Sequence, residues 1–134
     1  MKTIFIVAIL SVFGIAPVTA GDQISLLEMD KVKTYLRLDA AQYKKIILAV
    51  EQIKSIHEKD KIIIAALQER IRNGDEPGFI EKMSTKRGRG SRIDSIDELI
   101  EEIESLLTTE QKIKYKNIIK PVLKGLEKKE IFGE

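Results

Sequence analysis

The side chains of this sequence whose types and spacing could support acid–base catalysis or metal binding are His57, Asp60 and Lys61. Residues three and four positions apart share one face of a helix, so this trio could form an acid–base pair or part of a metal site. Catalysis would also need a nucleophile beside the base, and a metal site would need further His or Cys ligands. His57 is the only histidine and the chain has no cysteine. The sequence therefore favours a protein that is not an enzyme and that needs no metal or other cofactor.

Two charged runs could bind ligands. The acidic run contains Asp94, Asp97, Glu98, Glu101, Glu102 and Glu104. It could attract divalent cations weakly, but its spacing favours a solvated helix face. The basic run KRGRGSR, residues 86–92, could bind a phosphate, an anionic lipid headgroup or an acidic peptide. Its glycines favour a mobile loop over about residues 84–92. The formal net charge of +2 is nearly balanced, so no nucleic-acid partner is expected.

The first 20 residues, MKTIFIVAILSVFGIAPVTA, have the pattern of a secretory signal peptide. A cation at Lys2 precedes an uncharged apolar stretch, and small residues end the segment at Ala20. The alternative is a retained membrane anchor, but the apolar stretch is short for a span and is interrupted by Gly14 and Pro17. We therefore expect an exported chain, cleaved after Ala20, whose residues 21–134 form a single domain.

The remaining sequence has helical periodicity and lacks strand patterns, which predicts an all-α fold. A short helix is expected from Ser25, a long one over residues 39–73, a third from Ser91 or Ser95, and a fourth from Thr108 that bends or ends at Pro121. A 35-residue helix is about 52 Å long, whereas a compact domain of this size is about 34 Å across. The apolar surface of the long helix also widens at residues 62–66. Either the long helix bends, or the molecule is an elongated hairpin whose exposed apolar side meets a second subunit; we favour the homodimer.

Two short stretches, LDAAQ and LTTEQ, have the same pattern. In each, a leucine precedes a helix-capping residue, and a glutamine follows three positions later; the residues are Leu38, Asp39 and Gln42, and Leu107, Thr108 and Gln111. The Asp or Thr oxygen can accept from backbone N–H groups of the first turn, and the glutamine can reach back to the N–H of the cap. The leucine can pack one turn into the helix as a hydrophobic staple. Both stretches therefore predict helix starts.

The longer stretches LRLDAAQYKKI and LLTTEQKIKYKNI resemble the Spy/CpxP family, also called the LTxxQ family, of periplasmic proteins in Gram-negative bacteria. The resemblance runs from Leu36 to about Ile119, and it departs from the family pattern at Asp39, where the family has threonine. It implies an elongated antiparallel four-helix hairpin or cradle, intertwined as a homodimer in the periplasm. It also implies an ATP-independent chaperone for unfolded proteins or a modulator of envelope-stress signalling.

A chaperone of this kind would hold unfolded or misfolded envelope proteins on a face that combines basic and apolar side chains. In this chain the candidates are Lys44, Lys45, Ile47, Lys54, Lys59 and Lys61. These residues are equally compatible with an ordinary solvated helix face. Two alternative functions stay open. One is a regulatory adaptor that binds the sensor domain of an envelope-stress kinase. The other is a periplasmic metal-binding resistance protein, which the absence of enriched His, Cys and Met disfavours.

Overall fold

A computed structural model describes residues 24–126 as four α-helices. The helices are α1 (Met29–Leu36), α2 (Ala40–Arg72), α3 (Phe79–Ser105) and α4 (Thr109–Tyr115). This range contains no strand, only an isolated parallel bridge between Ser25 and Ile119, so the expected all-α class is confirmed. None of its helices has the length and apolar content needed to cross a membrane. The signal peptide expected over residues 1–20 lies outside the described residues.

Helix α1 begins later than expected. Ser25 and Glu28 do interact, because the Ser25 N–H donates to Glu28 Oε1 at 2.9 Å and the Leu27 N–H donates to Ser25 Oγ at 3.2 Å. These bonds form a turn that precedes the helix, which starts at Met29. The Ser25 N–H lowers the pKa of Glu28, and Lys31 lowers it further. The expectation of a helix from Ser25 was therefore wrong by one turn.

Helix α2 ends in a glycine-containing turn at Asn73 and Gly74, where the sequence predicted a stop. Gly74 has a φ of 81°, which glycine adopts without a steric penalty. The Asp75 N–H donates to the Arg70 carbonyl at 2.9 Å, and the Gly74 N–H donates to the Ile71 carbonyl at 3.2 Å. These two bonds define a Schellman motif and satisfy carbonyls that the helix end leaves unpaired.

Helix α3 is continuous through the segment that was expected to be a loop. The loop over residues 84–92 was a wrong prediction, and the proposed starts at Ser91 and Ser95 both lie inside the helix. Gly88 and Gly90 cost about 1 kcal/mol each relative to alanine, which is too little to break a helix supported by tertiary contacts. Arg89 and Arg92 supply such contacts by pairing with buried Asp60 of α2.

Helix α4 is shorter than expected and ends at Tyr115, well before Pro121. Backbone pairing explains this early end. The Ile119 N–H donates to the Ile24 carbonyl at 2.9 Å, and the Leu26 N–H donates to the Ile119 carbonyl at 2.9 Å. Both bonds require an extended backbone at Ile119, so the helix cannot continue through this position.

The described chain divides into two compact units. The first comprises residues 24–48 and 103–121, and the second comprises residues 49–102 and 122–126. The buried apolar side chains of the first unit include Leu26, Val32, Leu36, Ile46, Ile103 and Tyr115. Those of the second unit are Ala49, Val50, Ile53, Ile64, Leu67, Ile96 and Leu99. Each unit therefore has its own apolar core, and helices α2 and α3 contribute residues to both units.

Candidate functional site

Both short motifs form complete capping boxes. At the start of α2, the Gln42 N–H donates to Asp39 Oδ1 at 2.7 Å, and the Asp39 N–H donates to Gln42 Oε1 at 3.0 Å. At the start of α4, the Gln111 N–H donates to Thr108 Oγ1 at 3.3 Å, and the Thr108 N–H donates to Gln111 Oε1 at 2.9 Å. Aspartate and threonine thus cap their helices in the same way.

The two capping boxes also bind each other through their glutamine side chains. Gln42 Nε2 donates to Gln111 Oε1 at 2.8 Å, and Gln111 Nε2 lies 3.2 Å from Gln42 Oε1. Each Nε2 also donates to a backbone carbonyl that precedes the other motif. Gln42 bonds to the Leu106 carbonyl at 2.9 Å, and Gln111 bonds to the Leu36 carbonyl at 3.0 Å. The arrangement is nearly two-fold symmetric, and we call it the glutamine pair.

The glutamine pair explains why both motifs contain glutamine. A capping box accepts glutamate equally well, because only an acceptor oxygen is needed. The contacts to Leu106 and Leu36 require the N–H donors of an amide, which glutamate lacks. The sequence pattern predicts two separate helix starts and does not by itself predict this contact. The signal available was the use of glutamine at both positions, each four residues after a leucine that the structure buries.

A strained residue lies beside the glutamine pair. Arg37 has a φ of 57°, the left-handed conformation that costs an L-residue about 1–2 kcal/mol. It occupies the position where glycine is preferred in a Schellman motif, since the Leu38 N–H donates to the Lys33 carbonyl at 3.1 Å. Gln111 Nε2 lies 3.3 Å from the Arg37 carbonyl. The hydrogen bonds of Gln111 therefore help to hold this turn in place.

An open depression of about 250 Å³ adjoins the glutamine pair. It is lined by Leu36, Arg37, Thr108, Glu110, Gln111 and Lys114. The hydroxyl of Thr108 and the amide of Gln111 already have hydrogen-bond partners within the protein. The geometry thus identifies the glutamine pair as a structural joint between two helix starts.

The candidate client-binding residues are accessible but do not share one face of α2. The five lysines are exposed and Ile47 is half-buried. In the first unit, Lys44 and Lys45 are consecutive and therefore point about 100° apart. In the second unit, Lys54 and Lys61 are seven residues apart and lie on one side, whereas Lys59 points elsewhere. Lys54 also pairs with Glu51 at 3.6 Å.

Asp60, considered with His57 as a potential acid–base or metal pair, is buried in an ion-pair cluster. Its carboxylate accepts from Arg89 Nη1 at 2.7 Å and from Arg92 Nε at 2.8 Å. Two guanidinium groups compensate a buried carboxylate well, so Asp60 links α2 to α3. No group of three or more His, Cys, Asp or Glu residues suited to a metal ion occurs within residues 24–126.

No model of a known protein family, no curated protein and no solved structure matches this chain. The resemblance to Spy/CpxP proteins therefore depends on the two motifs and the stretches around them. The glutamine pair adds a physical reason for the repeated motif, because each copy satisfies backbone carbonyls beside the other.

Proposed function

We propose that this protein is a periplasmic, ATP-independent holdase chaperone of the Spy/CpxP type. It would bind unfolded or misfolded envelope proteins reversibly on an amphipathic helical surface, as an antiparallel helical hairpin intertwined in a homodimer. The observation that carries the proposal is the pair of capping motifs, LDAAQ and LTTEQ, 69 residues apart in an all-α chain without cysteine. The role needs no covalent chemistry, nucleotide or cofactor.

The exposed surface of α2 supports this proposal. Leu48 is 61 % exposed and stands three and four residues after the exposed cations Lys45 and Lys44. Exposed apolar side chains can hold the hydrophobic segments of an unfolded protein, and positive charge accelerates encounter with clients that carry net negative charge. Lys59 and Lys61 add exposed positive charge to α2 in the second unit, where the exposed Lys54 pairs with Glu51.

The test is suppression of aggregation of a chemically denatured client after dilution, followed by light scattering without nucleotide. The purified protein should suppress aggregation at a near-stoichiometric ratio. Leu48→Ser and the double variant Lys44→Glu/Lys45→Glu should weaken suppression. Ile113→Ser is the matched control for Leu48→Ser, because Ile113 of α4 is 63 % exposed. Circular dichroism would verify that every variant retains its helices.

Failure to suppress aggregation of several clients at several salt concentrations would overturn the proposal. Capture of one dominant membrane protein, with little affinity for unfolded chains, would instead support the regulatory adaptor of an envelope-stress kinase. Calorimetric titration with zinc, nickel and copper would identify a metal-handling protein if binding were tighter than about 1 mM, which corresponds to about 4 kcal/mol.

A further inference from the structure

We propose that the N-terminal part of α3 docks on an anionic lipid surface. The docking residues are Phe79, Ile80, Lys86 and Arg87, which we call the α3 patch. Phe79 and Ile80 would enter the boundary between headgroups and acyl chains, while the two cations would contact lipid phosphates. This activity goes beyond the proposed chaperone function and does not depend on it.

The apolar part of the α3 patch is unusually exposed. Phe79 is 72 % exposed and Ile80 is 79 % exposed, more than any other exposed large apolar side chain of residues 24–126. Two consecutive large apolar side chains left in water are a costly arrangement that marks an interaction site more often than isolated ones do. These two lie in the first turn of a 27-residue helix.

The cations of the α3 patch lie on the same side of the helix as the apolar pair. Lys86 follows Phe79 by seven residues and Arg87 follows Ile80 by seven, which is close to two helical turns. All four side chains are exposed. The buried apolar residues Ile96 and Leu99 lie on the other side of α3. The α3 patch therefore consists of two exposed pairs on one side of α3, about two turns apart, with buried Lys82 and half-buried Met83 between them.

The unpaired charge beside the apolar pair is positive. Four carboxylates precede Lys86 in this region, and each has an ion-pair partner. Asp75 and Glu81 pair with Arg70, Glu76 pairs with Lys82, and Glu69 pairs with Arg72. Lys86 and Arg87 have no ion pair with any residue from 24 to 126. An approaching anionic surface would thus meet two free cations.

The acidic run of α3 does not cancel this charge. It begins at Asp94, seven residues after Arg87, which is about 10 Å along the helix axis. The Debye length at physiological ionic strength is about 8 Å. A surface that contacts the first turns of α3 would consequently interact mainly with Lys86 and Arg87.

The shape and charge of the α3 patch favour lipid over a protein partner. A bound peptide is held in a groove that shields both partners, whereas Phe79 and Ile80 project into solvent. A second copy that bound through the same surface would bring two pairs of cations together. A fluid lipid interface accommodates projecting apolar side chains and supplies the negative charge.

The experiment is cosedimentation of the purified protein with vesicles of phosphatidylglycerol and phosphatidylcholine, compared with vesicles of phosphatidylcholine alone. All variants would be expressed from the full sequence, and mass spectrometry would verify that they have the same N-terminus. Any contribution of residues 1–20 to vesicle binding is then the same in every variant. We expect binding to the anionic vesicles that weakens with added salt. The double variant Phe79→Ser/Ile80→Ser should bind at least about tenfold more weakly. Lys86→Glu/Arg87→Glu should lose about tenfold or more on anionic vesicles.

The matched controls are Ile113→Ser for the apolar change and Lys44→Glu/Lys45→Glu for the charge change; both should bind vesicles like the unmodified protein. Equal binding to both vesicle types, no binding to anionic vesicles, or unchanged binding of the α3 patch variants would overturn the proposal. If Phe79→Ser/Ile80→Ser instead lowers the oligomeric mass or abolishes aggregation suppression without affecting vesicle binding, the patch serves a protein partner. Loss of the holdase activity alone would leave lipid docking intact, so the two proposals can fail separately.

Discussion

Gln42 and Gln111 make hydrogen bonds that glutamate cannot make. Replacement of either by Glu keeps an oxygen for the capping box but removes the donor to Leu106 or Leu36. A part-buried carbonyl then lacks its partner, at a cost of about 1–3 kcal/mol. We expect Gln42→Glu and Gln111→Glu each to lower the free energy of unfolding by this amount in urea titrations at pH 7. Gln52→Glu, at an exposed position of α2, is the control and should change it by less than about 0.5 kcal/mol.

The double variant Gln42→Glu/Gln111→Glu tests the contact between the two amides. It would place two carboxylates where Gln42 Nε2 and Gln111 Oε1 are now 2.8 Å apart. The two substitutions should therefore destabilise by more than the sum of the single effects at pH 7. Protonation of one carboxylate at lower pH should reduce this excess. Additive effects at all pH values would show that the glutamine pair does not form.

Tyr115 should make the protein less stable as the pH rises into the alkaline range. Burial raises the pKa of the Tyr115 phenol above its ordinary value of 10.0, and Glu104 raises it further. Above about pH 10 the unfolded chain releases this proton while the folded chain retains it, so the free energy of unfolding falls as pH rises. Burial lowers the pKa of Lys120 below its ordinary value of 10.5. As the pH rises toward 10.5, the folded chain releases this proton before the unfolded chain does, so Lys120 makes the free energy of unfolding rise with pH.

The variant Tyr115→Phe isolates this contribution. Its free energy of unfolding should fall less steeply above pH 10 than that of the unmodified protein, because the ionisable group is gone. Urea titrations from pH 7 to pH 11 would measure both curves. The two should run parallel between pH 7 and pH 8, where the phenol is protonated in both states. Equal slopes above pH 10 would contradict a raised pKa for Tyr115.

At the scale of helices, the features that could be predicted from sequence are local ones. The starts of α2 and α4 were predictable because each capping box joins residues only three positions apart, Asp39 with Gln42 and Thr108 with Gln111. The end of α2 was predictable because it depends on the conformation of a single residue, Gly74. The continuity of α3 was not, because Arg89 and Arg92 pair with Asp60, 29 and 32 residues away. The glutamine pair joins residues 69 apart, and nothing in local periodicity reports such a contact.

The two glycines inside α3 provide a matched test of its continuity. A Cβ at Gly90 would meet nothing within 4 Å, so Gly90→Ala should raise the free energy of unfolding by about 0.5–1 kcal/mol. A Cβ at Gly88 would lie 3.2 Å from Arg92 Nη1 and disturb the side chain that holds Asp60. Gly88→Ala should therefore gain less or be destabilising.

Urea titrations of both variants would measure the difference, and far-ultraviolet circular dichroism would report helix content. A helical segment over residues 84–92 predicts that Gly90→Ala is the more stable variant. A mobile loop there would give no stabilisation at Gly90 and no difference between the two positions, since neither glycine would then be held in a helix.

At the scale of the whole molecule, the proposed activities use separate sets of residues. Client binding is assigned to exposed side chains of α2 such as Leu48, Lys44 and Lys45, and lipid docking to the α3 patch. Lys44→Glu/Lys45→Glu should therefore impair aggregation suppression alone, and Lys86→Glu/Arg87→Glu should impair vesicle binding alone. Each double variant is thus a control for the other assay.

The expected self-association of the chain can be tested at Ile62. Ile62 is 60 % exposed on α2 and is followed by Ile63, which is 39 % exposed. Burial of these side chains against a second copy would stabilise the proposed homodimer by about 1.5–3 kcal/mol for each one fully covered. Sedimentation equilibrium should give twice the mass of the chain, and the Tm should rise with protein concentration. Ile62→Lys should shift the equilibrium toward monomer, whereas Ile113→Lys should not. A monomeric mass for the unmodified protein at about 0.1 mM, a concentration at which an interface worth about 5.5 kcal/mol would be half-formed, would rule out the homodimer.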